Sequence, residues 1–232
     1  MNTIEDVIGA MQTLDSVLPP NDGVKWFNFL YLKVTEAVQA EGAGWQDSQF
    51  LQRFEVAFAK LYFDAIVKWE QDQTSAPHAW RPLLRARNNT RVTRIQFAFA
   101  GMNAHINRDL AVALDRMAEH DGHFPSRDGA RYSDFGRVND ILERVEASLR
   151  GVLATGLLGE IDQAFGELDT ILVMWNVRKA REAAWTNGEV LWHLRVAPPL
   201  RCDYLAGLDQ MAAFAGRGLL LPVIAVTTAQ FP

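Results

Sequence analysis

Cysteine is nearly absent from this chain: Cys202 is the only one among 232 residues. An intramolecular disulfide is therefore impossible, and a zinc site built on several cysteines is excluded. Also missing is any apolar run near the roughly 20 residues that span a bilayer; the nearest, Leu219 to Val226, is interrupted by Pro222. The stretch Met1-Asn2-Thr3-Ile4-Glu5-Asp6 has neither the basic nor the apolar region of a secretory signal, so a cytoplasmic location is expected. Positive charge is not in excess, since 23 Lys and Arg against 28 Asp and Glu leave a formal charge of −5. A mildly acidic chain lacks the electrostatic footprint of a nucleic-acid binder, and anionic membrane surfaces repel it weakly. Neither nucleic acid nor membrane is an expected partner. There is no phosphate-cradling glycine loop, no Gly-x-Ser-x-Gly elbow, no His-Glu-x-x-His and no pair of Glu-x-x-His helices. ATP use, serine hydrolysis and common zinc proteolysis are disfavoured, and no nucleotide cofactor is expected.

What is abundant is apolar residues, 49% of the chain, recurring with a period close to that of an α-helix. Ile4, Val7, Ile8, Met11, Leu14 and Val17 make a first amphipathic helix, stopped by Pro19-Pro20. A second carries Trp26 to Val38 and ends before Gly42 and Gly44, and a third runs from Ser48 to Trp69. Trp80 to Arg87 is a short helical piece, and one long helix covers Val92 to Glu119. His120 to Tyr132 is irregular, after which Ser133 or Asp134 is placed to cap the next helix. Gly156 and Gly159 break that helix, another spans Glu160 to Thr186, and Asn187-Gly188 reads as a turn. Val190 to Val196 is short, Leu200 to Ala215 is a last helix, and the pattern leaves open the conformation of the apolar tail from Gly216 to Pro232. Helices joined by short loops predict an all-α fold: one multi-helix bundle over residues 1–232.

The helix from Val92 to Glu119 is the most informative segment. Between Ile95 and Ile106 its only ionisable side chain is His105, and a helix apolar nearly all round is buried. Gly101 in its middle predicts close packing of something against the backbone. Into this dry setting come Asn103, His105, Asn107 and Asp109. His105 and Asp109 lie one turn apart on one flank, Asn103 and Asn107 on another, with Met102 on the apolar stripe between them. Buried polar groups need partners, so four of them imply a network or a site. A His held by a carboxylate has a fixed tautomer and serves as a general base. The same pair could ligate a metal ion, or it could simply fix helix packing.

The run Gly101-Met102-Asn103-Ala104-His105-Ile106-Asn107-Arg108-Asp109-Leu110 resembles the signature of a bacterial and fungal family known by a domain-of-unknown-function label. Asn21-Asp22-Gly23-Val24, Trp26-Phe27, Tyr31-Leu32, Trp80-Arg81-Pro82-Leu83, Asp134-Phe135, Val138-Asn139 and Arg181-Glu182-Ala183-Ala184-Trp185 extend the likeness over most of the chain. The resemblance implies a whole-chain helical domain and supplies no activity.

A second constellation is Trp175, Arg178, Glu182 and Trp185, which share a helix face. It suggests a lined pocket in which Arg178 grips an anion and Glu182 acts as acid or base; the alternative is an Arg–Glu ion pair stacked on tryptophan. His120 and His123 flank Asp121 in a loop, and Asp64 and Glu55 sit on opposite sides of the third helix's stripe. The leading expectation is a small-molecule enzyme using acid/base chemistry in an aromatic-lined cavity, of hydrolase, lyase or isomerase type. His105, Asp109, Asn103, Asn107 and Glu182 would be catalytic, and Arg178, Trp175, Trp185 and Met102 would bind substrate. The alternatives are a non-catalytic binder of an apolar ligand and a metalloprotein with His105 and Asp109 as ligands.

Overall fold

The structure is a computed structural model and describes residues 1–154 and 176–221. Trp175, the break at Gly156 and Gly159, the start of the helix expected from Glu160, and the tail from Pro222 lie outside the described residues. Among the described residues there is no strand; the protein is an all-α multi-helix bundle. No helix among them is long and apolar enough to cross a membrane.

Local sequence sets the helix starts. Helix α1 (Ile4–Val17) opens with a capping box, in which the Thr3 hydroxyl accepts from the Asp6 amide and the Asp6 carboxylate accepts from the Thr3 amide. Asp22 caps α2 (Gly23–Ala40) and Asp47 caps α3 (Ser48–Gln71). A side-chain cap of this kind is worth about 1 kcal/mol. The short α4 (Arg81–Ala86) takes Pro82 in its first turn, where a missing N–H is harmless. Thr93 and Gln96 form a second capping box at α5 (Arg94–Ala104). A π-helical turn, His105–Asp109, joins α5 to α6 (Leu110–Asp121). The remaining helices are α7 (Ala130–Ala154), α8 (Val177–His193) and α9 (Pro198–Leu219).

The line from α5 through the π turn to α6 is the axis of the bundle. Helices α2 and α9 pack on α5, and α8 and α3 pack on α6. Every residue of α5 from Ile95 to Ala104 is buried, as the absence of charge in that segment predicts. Close approach at Gly101 is also found: a Cβ there would sit 2.3 Å from Cγ of Phe27, so the α2 ring lies against bare backbone.

Several boundaries differ from the sequence expectation, and the helix expected over Glu160 to Thr186 is not continuous, since α8 starts at Val177 with Asn176 as its cap. Asn187-Gly188 is not a turn, because both residues lie inside α8. Gly188 is there for approach: a Cβ would come within 2.9 Å of Leu114 Cβ and 3.2 Å of the Ala111 carbonyl on α6. Helix α7 starts at Ala130, ahead of Ser133 and Asp134. Asp134 instead accepts from the Gln46 and Asp47 amides, at 3.0 and 2.8 Å, and so ties α7 to the start of α3. Helix α9 continues past Gly216, whose small size lets Pro82 and Asn103 pack close.

Candidate functional site

The His105–Asp109 segment departs from regular α geometry: the Leu110 amide donates to the His105 carbonyl, five residues back. Single π turns of this kind recur at functional sites because they redirect side chains within an otherwise rigid helix. Here His105 Nδ1 lies 3.1 Å from Asp109 Oδ2. Trp80 Nε1, from the residue before α4, donates to the same oxygen at 2.8 Å. Arg108 Nη1 donates to Asp109 Oδ1 at 2.6 Å, while its Nε lies 3.4 Å from Asp209 Oδ1 on α9.

These contacts fix the charge state of the pair. Burial opposes ionisation of Asp109, but the hydrogen bond from His105 and the Arg108 cation outweigh it, so its carboxyl titrates below the ordinary value. Burial dominates at His105 and lowers its pKa, although the bond and charge of Asp109 pull the other way. A neutral imidazole beside an ionised carboxylate must donate from Nδ1. Its Nε2 then carries the lone pair, and this buried nitrogen has no partner among the described residues. The ring cannot swing to find one. It stacks on Phe58 with centroids 3.6 Å apart, and Tyr31 and Phe27 present their rings at steep angles from α2.

Beside this ring is a cavity of about 40 Å³, lined by His105, Phe27, Tyr31, Phe58, Met102, Glu55 and Arg181 together with aliphatic side chains of α2 and α7. It has room for a few waters or the reactive end of a small molecule. Its polar wall is unfinished. The Tyr31 hydroxyl is buried with no partner, and Glu55 makes no hydrogen bond or ion pair among the described residues although it is only 6% exposed. Burial pushes the Glu55 carboxyl up to about 7, against the pull of the Arg181 cation. Arg181 donates from Nε to Asn139 Oδ1 at 2.7 Å and from Nη2 to the Phe135 carbonyl at 3.1 Å, with its guanidinium over the Phe135 ring. It has no ion pair among the described residues, and burial lowers its pKa to about 10.

The residues singled out from sequence divide cleanly. His105 and Met102 line the cavity, and Asp109 stands behind His105. Asn103 and Asn107 face the opposite way. Asn107 Nδ2 donates to Asn103 Oδ1 at 2.9 Å, and Asn103 Nδ2 donates to the Ala212 carbonyl of α9 at 2.7 Å. They form a closed helix-to-helix link and do not touch the cavity. Arg178 is exposed and pairs with Asp140 and Glu143, each at 2.9 Å. Glu182, half-exposed, accepts from the Tyr132 hydroxyl at 2.7 Å. Trp185 is fully buried among Phe124, Tyr132 and Phe135. The pocket expected around Arg178 and Glu182 is therefore not formed by them: the buried stripe of α8 is Arg181, Ala184, Trp185, Gly188 and Leu191, which turns Arg178 and Glu182 outward. His120, His123 and Asp64 are exposed.

Sequence reasoning gave Tyr31, Phe58 and Arg181 no role at a site, and named Glu55, with Asp64, only as a carboxylate able to approach the central helix. The signal for Glu55 was a carboxylate at helical spacing from Phe58 and Tyr62, on the buried face of α3. For Arg181 it was the small residues Ala184 and Gly188, which mark the packed face of α8.

A metal reading fits the donor set poorly. Among the described residues no cluster of three or more His, Cys, Asp or Glu could hold a metal ion. His105 and Asp109 are bonded to each other, and Asp109 is further engaged by Trp80 and Arg108.

The fold and the site together define a helical domain whose central helix carries a buried His–Asp pair at a partly polar cavity. The chain belongs to a family of unknown function, DUF5995, whose model matches residues 4–222. No curated protein and no solved structure matches it.

Proposed function

We propose that the protein is an acid/base catalyst acting on a small, largely apolar molecule whose reactive end enters the cavity beside His105. The observation that carries this reading is the orphaned Nε2 of His105, held as a lone-pair acceptor by the Nδ1 bond to Asp109. A buried acceptor with no partner loses about 1–3 kcal/mol relative to a satisfied one. What supports a base at this position is that the free lone pair belongs to a ring that lines the cavity, within reach of a molecule bound there. Asp109 orients the ring and stabilises the imidazolium that forms when Nε2 takes a proton.

Glu55 supplies the complementary acid. Its carboxyl titrates at about 7 and so retains its proton at the pH where His105 is neutral. Two groups whose environments push them toward opposite protonation states are the signature of paired acid and base. Proton transfer of this kind serves hydrolysis, elimination and isomerisation alike.

The test is a panel of small esters, oxo acids and unsaturated carbonyl compounds incubated with the protein in deuterium oxide and followed by proton NMR. Wild type is expected to exchange or convert at least one compound. The His105→Ala variant, still helical by circular dichroism, is expected to convert none. Equal conversion by both proteins, or none by wild type, would sink the proposal.

A further inference from the structure

Arg181 presents a problem the bundle does not solve. It is a guanidinium only 4% exposed, and its two hydrogen bonds go to an amide oxygen and a backbone carbonyl, neither of which carries charge. Nη1 makes no hydrogen bond among the described residues. A buried cation without a counter-ion is strongly disfavoured. Glu55 shares the cavity but stands beyond ion-pair distance. Arg181 and Glu55 thus form a polar corner with unused hydrogen-bonding capacity in the cavity that His105 and its aromatic neighbours also line.

We infer that the cavity binds a small monoanion, a carboxylate on an otherwise apolar body, gripped by Arg181 and admitted when Glu55 is protonated. The inference names the ligand class of the site proposed above and rests on that reading's cavity and on the same Glu55. One planar guanidinium with Nη1 free matches one carboxylate. A dianion such as a phosphate would leave excess charge in a wall that offers no second cation, and the apolar remainder suits Phe27, Phe58 and Met102. With Glu55 ionised, the corner is already neutral and a second carboxylate is repelled.

The charged and titratable groups facing Glu55 are few. Tyr31 on α2 has its pKa raised well above the ordinary value by burial, so it stays neutral. His105 and, behind it, the ionised Asp109 come from the π turn. Helix α7 offers Val138, Leu142 and the neutral Asn139, and Arg181 on α8 remains charged until about 10. The titration between neutral and mildly alkaline pH is therefore that of Glu55.

The experiment is a methyl NMR titration of the full chain with acetate, propionate and isobutyrate, each paired with its amide. Near pH 6 a carboxylate is expected to bind at least about tenfold tighter than its amide, and to weaken by about tenfold or more toward pH 9. In Glu55→Gln the affinity is expected to stay flat over that range, and in Arg181→Met the preference for the carboxylate is expected to vanish. Should Arg181→Met fail to fold, the Glu55→Gln profile decides. The two readings fail separately: carboxylate preference in wild type with no conversion of any compound in the deuterium panel would bring down the catalytic reading and leave this inference standing. Equal binding of acids and amides, no binding of either, or identical pH profiles for wild type and Glu55→Gln would overturn it.

Discussion

The two flanks of the central helix carry polar residues of equal prominence in the sequence and opposite character in the structure. On one flank, Asn103 and Asn107 bond to each other and to the Ala212 carbonyl, and the link ends there. On the other, His105, Tyr31, Glu55 and Arg181 surround a cavity with hydrogen-bonding capacity left over. The difference teaches that burial of polar groups does not mark a site. Incomplete satisfaction next to open space does. Where every donor and acceptor is paired, a network fixes helix packing; where some are left waiting, a ligand has something to complete.

The sharpest way to break this comparison is to mutate both flanks and compare what is lost. His105→Ala is expected to reduce kcat on any compound the deuterium panel identifies by about 10²- to 10⁴-fold, the usual worth of a general base. Asp109→Asn keeps the shape but offers Nδ1 a neutral partner, so the tautomer is no longer imposed; a loss in the same range is expected, with KM little changed. An unchanged kcat in either would place the pair with the structural flank.

Glu55→Gln sharpens the comparison through stability. The Glu55 pKa is raised from 4.5 to about 7 on folding, so its contribution is fully present below 4.5 and lost as pH rises through about 7. The shift corresponds to about 3 kcal/mol. Glu55→Gln is therefore expected to be more stable than wild type by up to that amount at alkaline pH, and nearly equal to it at acid pH, in denaturant titrations. His105 has the opposite sign. Its lowered pKa removes stability as pH falls below 6.5, so His105→Ala should flatten the acid side of the wild-type curve.

Asn103→Ala should do the reverse of His105→Ala. It leaves Asn107 without its acceptor and is expected to destabilise by about 1–3 kcal/mol with kcat within about twofold of wild type. Smallest of all should be Arg178→Ala. Its ion pairs with Asp140 and Glu143 are exposed, and exposed pairs contribute about 1 kcal/mol or less. A large loss of activity in Arg178→Ala would restore that face of α8 as part of the site.

Much of the fold was legible in the sequence because periodicity, caps and proline stops are local. The charge-free stretch of α5 foretold its burial, and Gly101 foretold close packing against it, which the Phe27 ring supplies. The meaning of Gly188 was not legible: a glycine after an asparagine reads as a turn, and only the approach of α6 shows that it serves close packing. The site was half legible for the same reason. His105 and Asp109 are one turn apart in one helix, so their meeting follows from spacing. Glu55, Tyr31 and Arg181 reach the cavity from three other helices, and no local pattern says which turn of α8 faces inward. Arg178 and Glu182 looked equally placed until the buried stripe fell on Arg181.

The central claim is that His105 stands as a neutral base with its proton on Nδ1 and its lone pair on Nε2. Nitrogen NMR of protein labelled in the imidazole ring reports this directly. The account predicts a single His105 resonance pair showing Nδ1 protonated and Nε2 bare across neutral pH, with titration below 6.5. A proton on Nε2, or an imidazolium that persists through neutral pH, would contradict it.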